Sequence, residues 1–129
     1  FFNHFRSVRK ETLVNIPKPL TTYYFIVASS EFLLVTEPVE EILRERVQHY
    51  RRVKKNIDFW LVQSPKFLES VQLTGLQTKL RQARIANECS AIVSVDKTFI
   101  TWLKLRLNNV AMGSFSAPTG DITSPLASN

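Results

Sequence analysis

The side chains that most often carry out chemistry in proteins are few in this sequence of 129 residues. It contains one cysteine, Cys89, and two histidines, His4 and His49. A thiol and an imidazole could form a nucleophilic pair, but no motif that accompanies such a pair surrounds either residue. A lone cysteine cannot close an internal disulfide or build a Cys-rich zinc site, and it fits a reducing compartment. We therefore expect no catalytic residues, no metal site and no cofactor.

Sequence motifs for nucleotide, metal and RNA binding are absent as well. There is no GxGxxG, no Walker loop and no HExxH, and three glycines are too few for a phosphate cradle. The RNP1 signature of RNA-binding domains is missing too. The longest unbroken apolar run, residues 23–28, is far shorter than the roughly 20 residues of a membrane-spanning helix. These absences favour an interaction protein over an enzyme.

A cluster of basic residues lies between positions 44 and 55 of a chain whose net charge is +6. Such a cluster suggests an anionic partner, which could be nucleic acid, a membrane surface or an acidic protein patch. The alternative is a solvated helix end, because the negative C-terminal end of a helix favours cations. The possible anionic-surface residues are Arg44, Arg46, Arg51, Arg52, Lys54 and Lys55.

Arg106 contradicts the pattern of the helix on which it lies. With about 100° per residue, Phe99, Trp102 and Leu103 fall on one apolar stripe of that helix. Arg106 falls within about 20° of Phe99, in the middle of the stripe. An arginine there must pair with a buried carboxylate, extend its head to the surface, or face a partner protein.

Asp58 is a second misfit, because it begins a strand of otherwise apolar residues. Alternation places Phe59 on one face of this strand and Asp58 and Trp60 on the other. Either the second face is also covered, or an aromatic patch is exposed beside a charge. Exposed aromatic and arginine side chains are typical of binding hot spots, and core packing is the alternative.

The elements that position these residues can be predicted from periodicity and from turn signals. Strands are expected at 22–28, 57–62, 91–95 and 114–117. One long helix is expected to be capped by Thr36 and closed by the cations at 51–55, and a second to be capped by Asp96 and to end at about 109. We expect a turn or short helix at 31–35, a short helix at 65–71, and a partly helical segment at 73–87. Phe67, Leu68 and Val71 form the expected inner side of the short helix.

The order of these elements is typical of an α+β protein with the ferredoxin-like split pattern. It predicts a four-stranded, largely antiparallel sheet with packed helices and an extra helical segment between the second and third strands. We expect residues 1–20 to form a flexible N-terminal extension, residues 21–117 a single domain, and residues 118–129 a flexible C-terminal tail.

Three segments of the sequence resemble one known family. They are residues 39–50 (VEEILRERVQHY), 57–69 (IDFWLVQSPKFLE) and 91–107 (AIVSVDKTFITWLKLRL). Together with residues 22–34 they are similar to the conserved plastid open-reading-frame family numbered fifty-four, called low chlorophyll accumulation A in plants. The resemblance spans roughly residues 21–128. The chain departs from the family in its longer and more basic segment 74–89.

The resemblance implies a non-catalytic accessory subunit of magnesium-protoporphyrin IX monomethyl ester cyclase, the oxidative enzyme that closes the fifth ring of chlorophyll. The implied partner is the membrane-bound di-iron catalytic subunit, which family members help to accumulate or assemble. The implied location is the cyanobacterial cytoplasm or the plastid, peripherally at thylakoid membranes through that partner. By motif position, the implied partner-binding residues are Asp58, Phe59 and Arg106, and periodicity adds Trp60.

The residues alone leave two other functions open. A basic module could bind nucleic acid or another anionic surface through residues 44–55, although nucleic acid is not the expected partner. Alternatively, the aromatic face could handle the porphyrin directly, with His49 as the one evident axial ligand.

Overall fold

The computed structural model describes residues 19–37, 39–86 and 88–129. Its centre is a four-stranded sheet in the order β2-β3-β1-β4, in which every neighbouring pair is antiparallel. The strands are β1 (Thr21–Ser29), β2 (Phe59–Gln63), β3 (Cys89–Ser94) and β4 (Ala111–Ala117). This order and direction confirm the predicted ferredoxin-like sheet.

Helices connect the strands much as the sequence predicts. The α-helices are α1 (Val39–Arg52), α2 (Thr74–Gln82) and α3 (Lys97–Arg106). A π-helix spans Phe32–Thr36, and two 3₁₀ helices span Lys66–Glu69 and Val71–Leu73. Thr36 was expected to cap α1 but belongs to the π-helix, and Pro38 lies outside the described residues. The predicted extension 1–20 lies outside them too, except for its last two residues.

The sheet is covered on both faces, because its central strands have apolar residues on both sides. Residues 25–28 of β1 and all six residues of β3 are buried. One face packs against α1 and α3 in a cluster that includes Ile26, Phe59, Ile92 and Leu103. We call this the helical face. The opposite face packs against the 3₁₀ helices, α2 and the end of the chain, around Phe25 and Phe67.

The segment after β4 was predicted to be a flexible tail, but in the structure it packs against the domain. Ile122 is buried in the core cluster opposite the helical face. The backbone NH groups of Lys66 and Asn129 donate to the carbonyls of Ala127 and Ser64, at 2.9 Å each. The sequence missed this docking because a few scattered apolar residues, Ile122 and Leu126 among them, show no periodicity among Pro, Gly, Ser and Thr.

Two boundaries differ from those expected in ways that affect the candidate site. Strand β2 begins at Phe59, so Asp58 precedes it. Helix α3 ends at Arg106, where Leu107 turns to extended backbone with φ −103° and ψ 117°, about one turn earlier than predicted.

Val71, expected on the inner side of its short helix, is instead 79% exposed. The remaining inner residues, Phe67 and Leu68, are buried as predicted.

Candidate functional site

A polar network joins the C-terminal half of α1 to the residue before β2. Arg46 Nη2 donates to the hydroxyl of Tyr50 at 2.9 Å, one helical turn later on α1. The Tyr50 hydroxyl in turn donates to Asp58 Oδ1 at 2.8 Å. Tyr50 is only 3% exposed, so this hydroxyl depends on protein partners and holds the Asp58 carboxylate in a fixed position.

Two further charges complete this network at its ends. Arg46 Nη2 also donates to Asp96 Oδ2 at 3.1 Å. Asp96 caps α3, since its other carboxylate oxygen accepts from the backbone NH groups of Thr98 and Phe99. At the other end, Lys55 Nζ lies 3.6 Å from Asp58 Oδ2. The hydrogen bond of Lys55 to the Tyr50 hydroxyl and the negative charge of Asp58 raise the pKa of Lys55 above its ordinary value.

An aromatic row extends from Arg46 across α3. The Arg46 guanidinium carbon lies 3.7 Å from the centre of the Phe99 ring and 5.4 Å from that of Phe59. Phe99 stacks on Trp102 with ring centres 6.3 Å apart and an interplanar angle of 19°. The Arg106 guanidinium lies 5.5 Å from the centre of the Trp102 ring. Cations over ring faces are attracted by the ring quadrupole, so the row is held by cation–π contacts at both ends.

The structure therefore connects two of the predicted partner-binding residues through groups that the sequence analysis did not assign to that surface. Asp58 and Arg106 lie at the two ends of one chain of contacts, which runs through Tyr50, Arg46, Phe99 and Trp102. We call these six residues the Arg46 row. A signal for Arg46 was present, because it lies midway between Ile42 and Tyr50 at four-residue spacing on the apolar side of α1.

Phe59 and Trp60 occupy opposite faces of the sheet, as alternation predicts. Phe59 is 4% exposed and belongs to the core of the helical face, where its ring meets Tyr50 and Phe99 edge-on. Trp60 packs on the opposite face against a different core cluster. The prediction that Trp60 shares one binding surface with Phe59 and Arg106 is therefore wrong, because the Trp60 side chain lies on the other side of the sheet from the helical face.

Two orientations differ from those expected from periodicity. Arg106 is exposed rather than central to the buried stripe of α3, which consists of Phe99, Ile100 and Leu103. Arg106 is the last helical residue, at the border of that stripe. Asp58 was expected on the Trp60 side, but alternation does not apply to a residue outside the strand, and its carboxylate bonds to α1 instead.

The basic cluster separates into two groups. Arg46 and Lys55 are engaged with Asp96 and Asp58. The other four side chains are exposed: Arg44, Arg51, Arg52 and Lys54. Helix α1 has Glu40 and Glu41 in its first turn and cations in its last, as the helix dipole favours. The structure thus gives most of the cluster a helix-end or ion-pair role.

Other chemical groups lie apart from the Arg46 row. Cys89 is buried at the start of β3 on the face opposite to α1, so the structure does not bring it together with His49. Burial raises the pKa of the Cys89 thiol above its ordinary value. A cavity of about 520 Å³ beside Cys89 is lined by Pro65, Leu68 and Arg81, among others. In the part of the chain that the structure describes, no three His, Cys, Asp or Glu side chains form a group suited to a metal ion.

Across residues 19–37, 39–86 and 88–129, none of the helices combines the length and the apolar character that crossing a bilayer requires.

Known proteins resemble this chain in both sequence and fold. A Ycf54-like protein from Synechocystis sp. is 45% identical over 109 residues, covering 84% of this chain and 78% of that protein. The chloroplastic protein YCF54 of Arabidopsis thaliana is 37% identical over 95% of this chain and 54% of its own length. The solved structure of the Synechocystis Ycf54 protein matches with a TM-score of 0.77 and 44% identity, covering 85% of this chain and 98% of that one.

The sequence profile of the family described as Ycf54 protein matches residues 21–117, which include all four strands and the whole Arg46 row. The chain therefore belongs to the Ycf54 family.

Proposed function

We propose that this protein is an accessory subunit of magnesium-protoporphyrin IX monomethyl ester cyclase in chlorophyll biosynthesis. It binds the di-iron catalytic subunit, assists its assembly, and performs no chemistry of its own. Through that partner it associates peripherally with thylakoid membranes. The family membership supports this role, because the role is the one that the resemblance to plastid and cyanobacterial members implies.

One structural observation carries the proposal. Asp58 and Arg106, which the family motifs single out, lie at the two ends of the Arg46 row. Both groups are held in place: Asp58 by Tyr50 and Lys55, and Arg106 over the Trp102 ring. A preorganised carboxylate and guanidinium lose little side-chain freedom on binding, which favours a specific protein contact.

The buried and exposed members of the site have different parts in this proposal. Phe59 is buried, so we assign it a supporting part beneath the surface. Trp102 is 46% exposed and takes the place that the sequence suggested for Trp60 as the aromatic contact. Arginine and tryptophan are the residues most enriched among binding hot spots.

Affinity purification from a photosynthetic membrane extract tests the proposal. The tagged protein should recover the cyclase catalytic subunit, which mass spectrometry identifies. Asp58→Asn keeps an acceptor for Tyr50 but removes the charge, and Arg106→Ala removes the guanidinium. Each should lower the recovery about tenfold or more, as expected of a hot spot. Arg81→Ala, a change of an exposed arginine on α2, is the matched control and should recover the wild-type amount.

Full recovery with both the Asp58 and the Arg106 variants would refute this surface. Absence of the catalytic subunit from the wild-type sample would refute the function itself. Binding through exposed cations falls steeply between about 50 and 200 mM salt. The salt dependence of binding therefore tests the basic-surface alternative separately.

A further inference from the structure

The outer side of α3 carries two large apolar side chains in contact with solvent. Leu105 is 78% exposed and Trp102 is 46% exposed. At 3.6 residues per turn, Trp102 lies about 60° around the helix from Leu105. The two side chains therefore form one short apolar ridge, opposite to the buried residues Ile100 and Leu103.

Cations flank this ridge on both sides. From Leu105, Arg106 lies about 100° around the helix on the Trp102 side, whereas Lys97 and Lys104 lie about 80–100° around on the other side. All three are exposed. The arrangement is an apolar ridge between two positive edges.

No acidic side chain of this segment compensates these charges. The sequence contains no Asp or Glu between Asp96 and Asp121. Asp96 is itself engaged, because it caps α3 and pairs with Arg46 at 3.1 Å. The outer side of α3 is therefore positive along its length, and it attracts carboxylates.

From this apolar ridge and its positive edges we infer the chemistry of the partner surface. The outer side of α3 inserts into a groove with an apolar floor and with carboxylates along both rims, and this groove lies on the cyclase catalytic subunit. The inference rests on the proposed function and identifies Leu105 and Trp102 as the anchors. A helix that presents a convex ridge binds by entering a groove. The Arg106 guanidinium, which lies over the Trp102 ring, favours a planar carboxylate, which it can bind with two parallel hydrogen bonds.

The affinity of the purified chain for the detergent-solubilised catalytic subunit tests the anchor. Leu105→Ser removes the apolar tip and keeps every charge, so the dissociation constant should rise about tenfold or more. Val71→Ser is the matched control, because Val71 is 79% exposed on the 3₁₀ helix across the sheet and should leave the affinity unchanged.

The chemistry of the groove is tested by a photo-crosslinking amino acid placed at position 105. The crosslinked segment of the catalytic subunit should be rich in Asp and Glu next to apolar residues. A neutral or basic segment, or equal affinities for the two serine variants, would overturn the inference and leave the proposed function standing. Failure of the unmodified chain to bind the subunit would refute the proposed function.

A lipid surface is the competing occupant of the same ridge. Vesicles of phosphatidylglycerol and of phosphatidylcholine distinguish it, because cations beside an apolar ridge also bind anionic bilayers. Binding to anionic vesicles that Leu105→Ser abolishes and Val71→Ser preserves would overturn the protein groove. Equal, weak sedimentation of all three proteins with both kinds of vesicle supports it.

Discussion

The Arg46 guanidinium carbon lies 3.7 Å from the centre of the Phe99 ring, so a side chain from α1 contacts the buried side of α3. The same guanidinium donates to Asp96, which caps α3, and to Tyr50, which holds Asp58 before β2. One side chain thus links two helices and a strand. The position of the Asp58 carboxylate relative to Trp102 and Arg106 depends on this link.

Replacing Arg46 should destabilise the fold more than replacing a neighbouring arginine. Arg46→Ala removes the ion pair, the hydrogen bond and the ring contacts, and it leaves Asp96 without its partner. Because the pair is partly exposed, we expect a loss of about 1–3 kcal/mol in the free energy of unfolding, measured by urea denaturation. Arg44→Ala, on the exposed side of the same helix, should change it by less than about 0.5 kcal/mol. Equal effects of the two substitutions would contradict the linking role of Arg46.

Substitutions of Phe59 and Arg106 should distinguish effects on stability from effects on binding. Phe59→Ala creates a cavity among Tyr50 and Phe99 and should cost about 3–5 kcal/mol of unfolding free energy. Arg106→Ala changes an exposed side chain and should cost less than about 0.5 kcal/mol. Thermal and urea unfolding check both values. A large stability loss in the arginine variant would mean that its effect on binding is indirect.

Gly113 should not tolerate a side chain. A Cβ atom added there would lie 2.7 Å from Cζ of Phe25, whose ring is fully buried against Phe67 and Phe115. Because this ring has little room to move, Gly113→Ala should destabilise by about 1–3 kcal/mol.

Gly75→Ala is the matched control for Gly113. It adds the same methyl group on α2, where nothing lies within 4 Å, and should be neutral or stabilising by up to about 1 kcal/mol. Parallel urea titrations compare the unfolding free energies of the two variants. A Gly113 variant as stable as the wild type would show that the Phe25 ring can shift.

Cys89 should report on opening of the face opposite to α1. It is 2% exposed, and burial raises the pKa of its thiol above the ordinary value of 9.0. The fold therefore favours the neutral thiol, so this contribution to stability is complete below pH 9 and declines as the pH rises above it. Because thiol reagents react with the thiolate, labelling at pH 8 should be slow in the native protein and fast in urea.

One variant shows whether Cys89 causes the loss of stability at alkaline pH. Cys89→Ala lacks the ionisable group, so its unfolding free energy should fall less between pH 8 and pH 10 than that of the wild type. Rapid native labelling, or an identical alkaline decline in the variant, would contradict the burial of the thiol.

The order of the strands and the two faces of β2 could be predicted from the sequence. Alternation separates Phe59 from Trp60 whatever the rest of the chain does, because successive side chains of a strand point to opposite faces. The β-α-β order likewise restricts the sheet to few arrangements. Capping of α3 by Asp96 was also predictable, since it depends only on the next few residues.

The surroundings of Arg46 and Arg106 were decided only by the tertiary structure. Periodicity gives the angle between two residues on one helix, but the side of the helix that meets the sheet depends on packing with other elements. Helix α3 is oriented so that Ile100 and Leu103 are buried, while Arg106 is exposed and lies over the Trp102 ring. Arg46 acquires its role from Asp96, fifty residues away, and from Phe99, and no local pattern on α1 contains either partner.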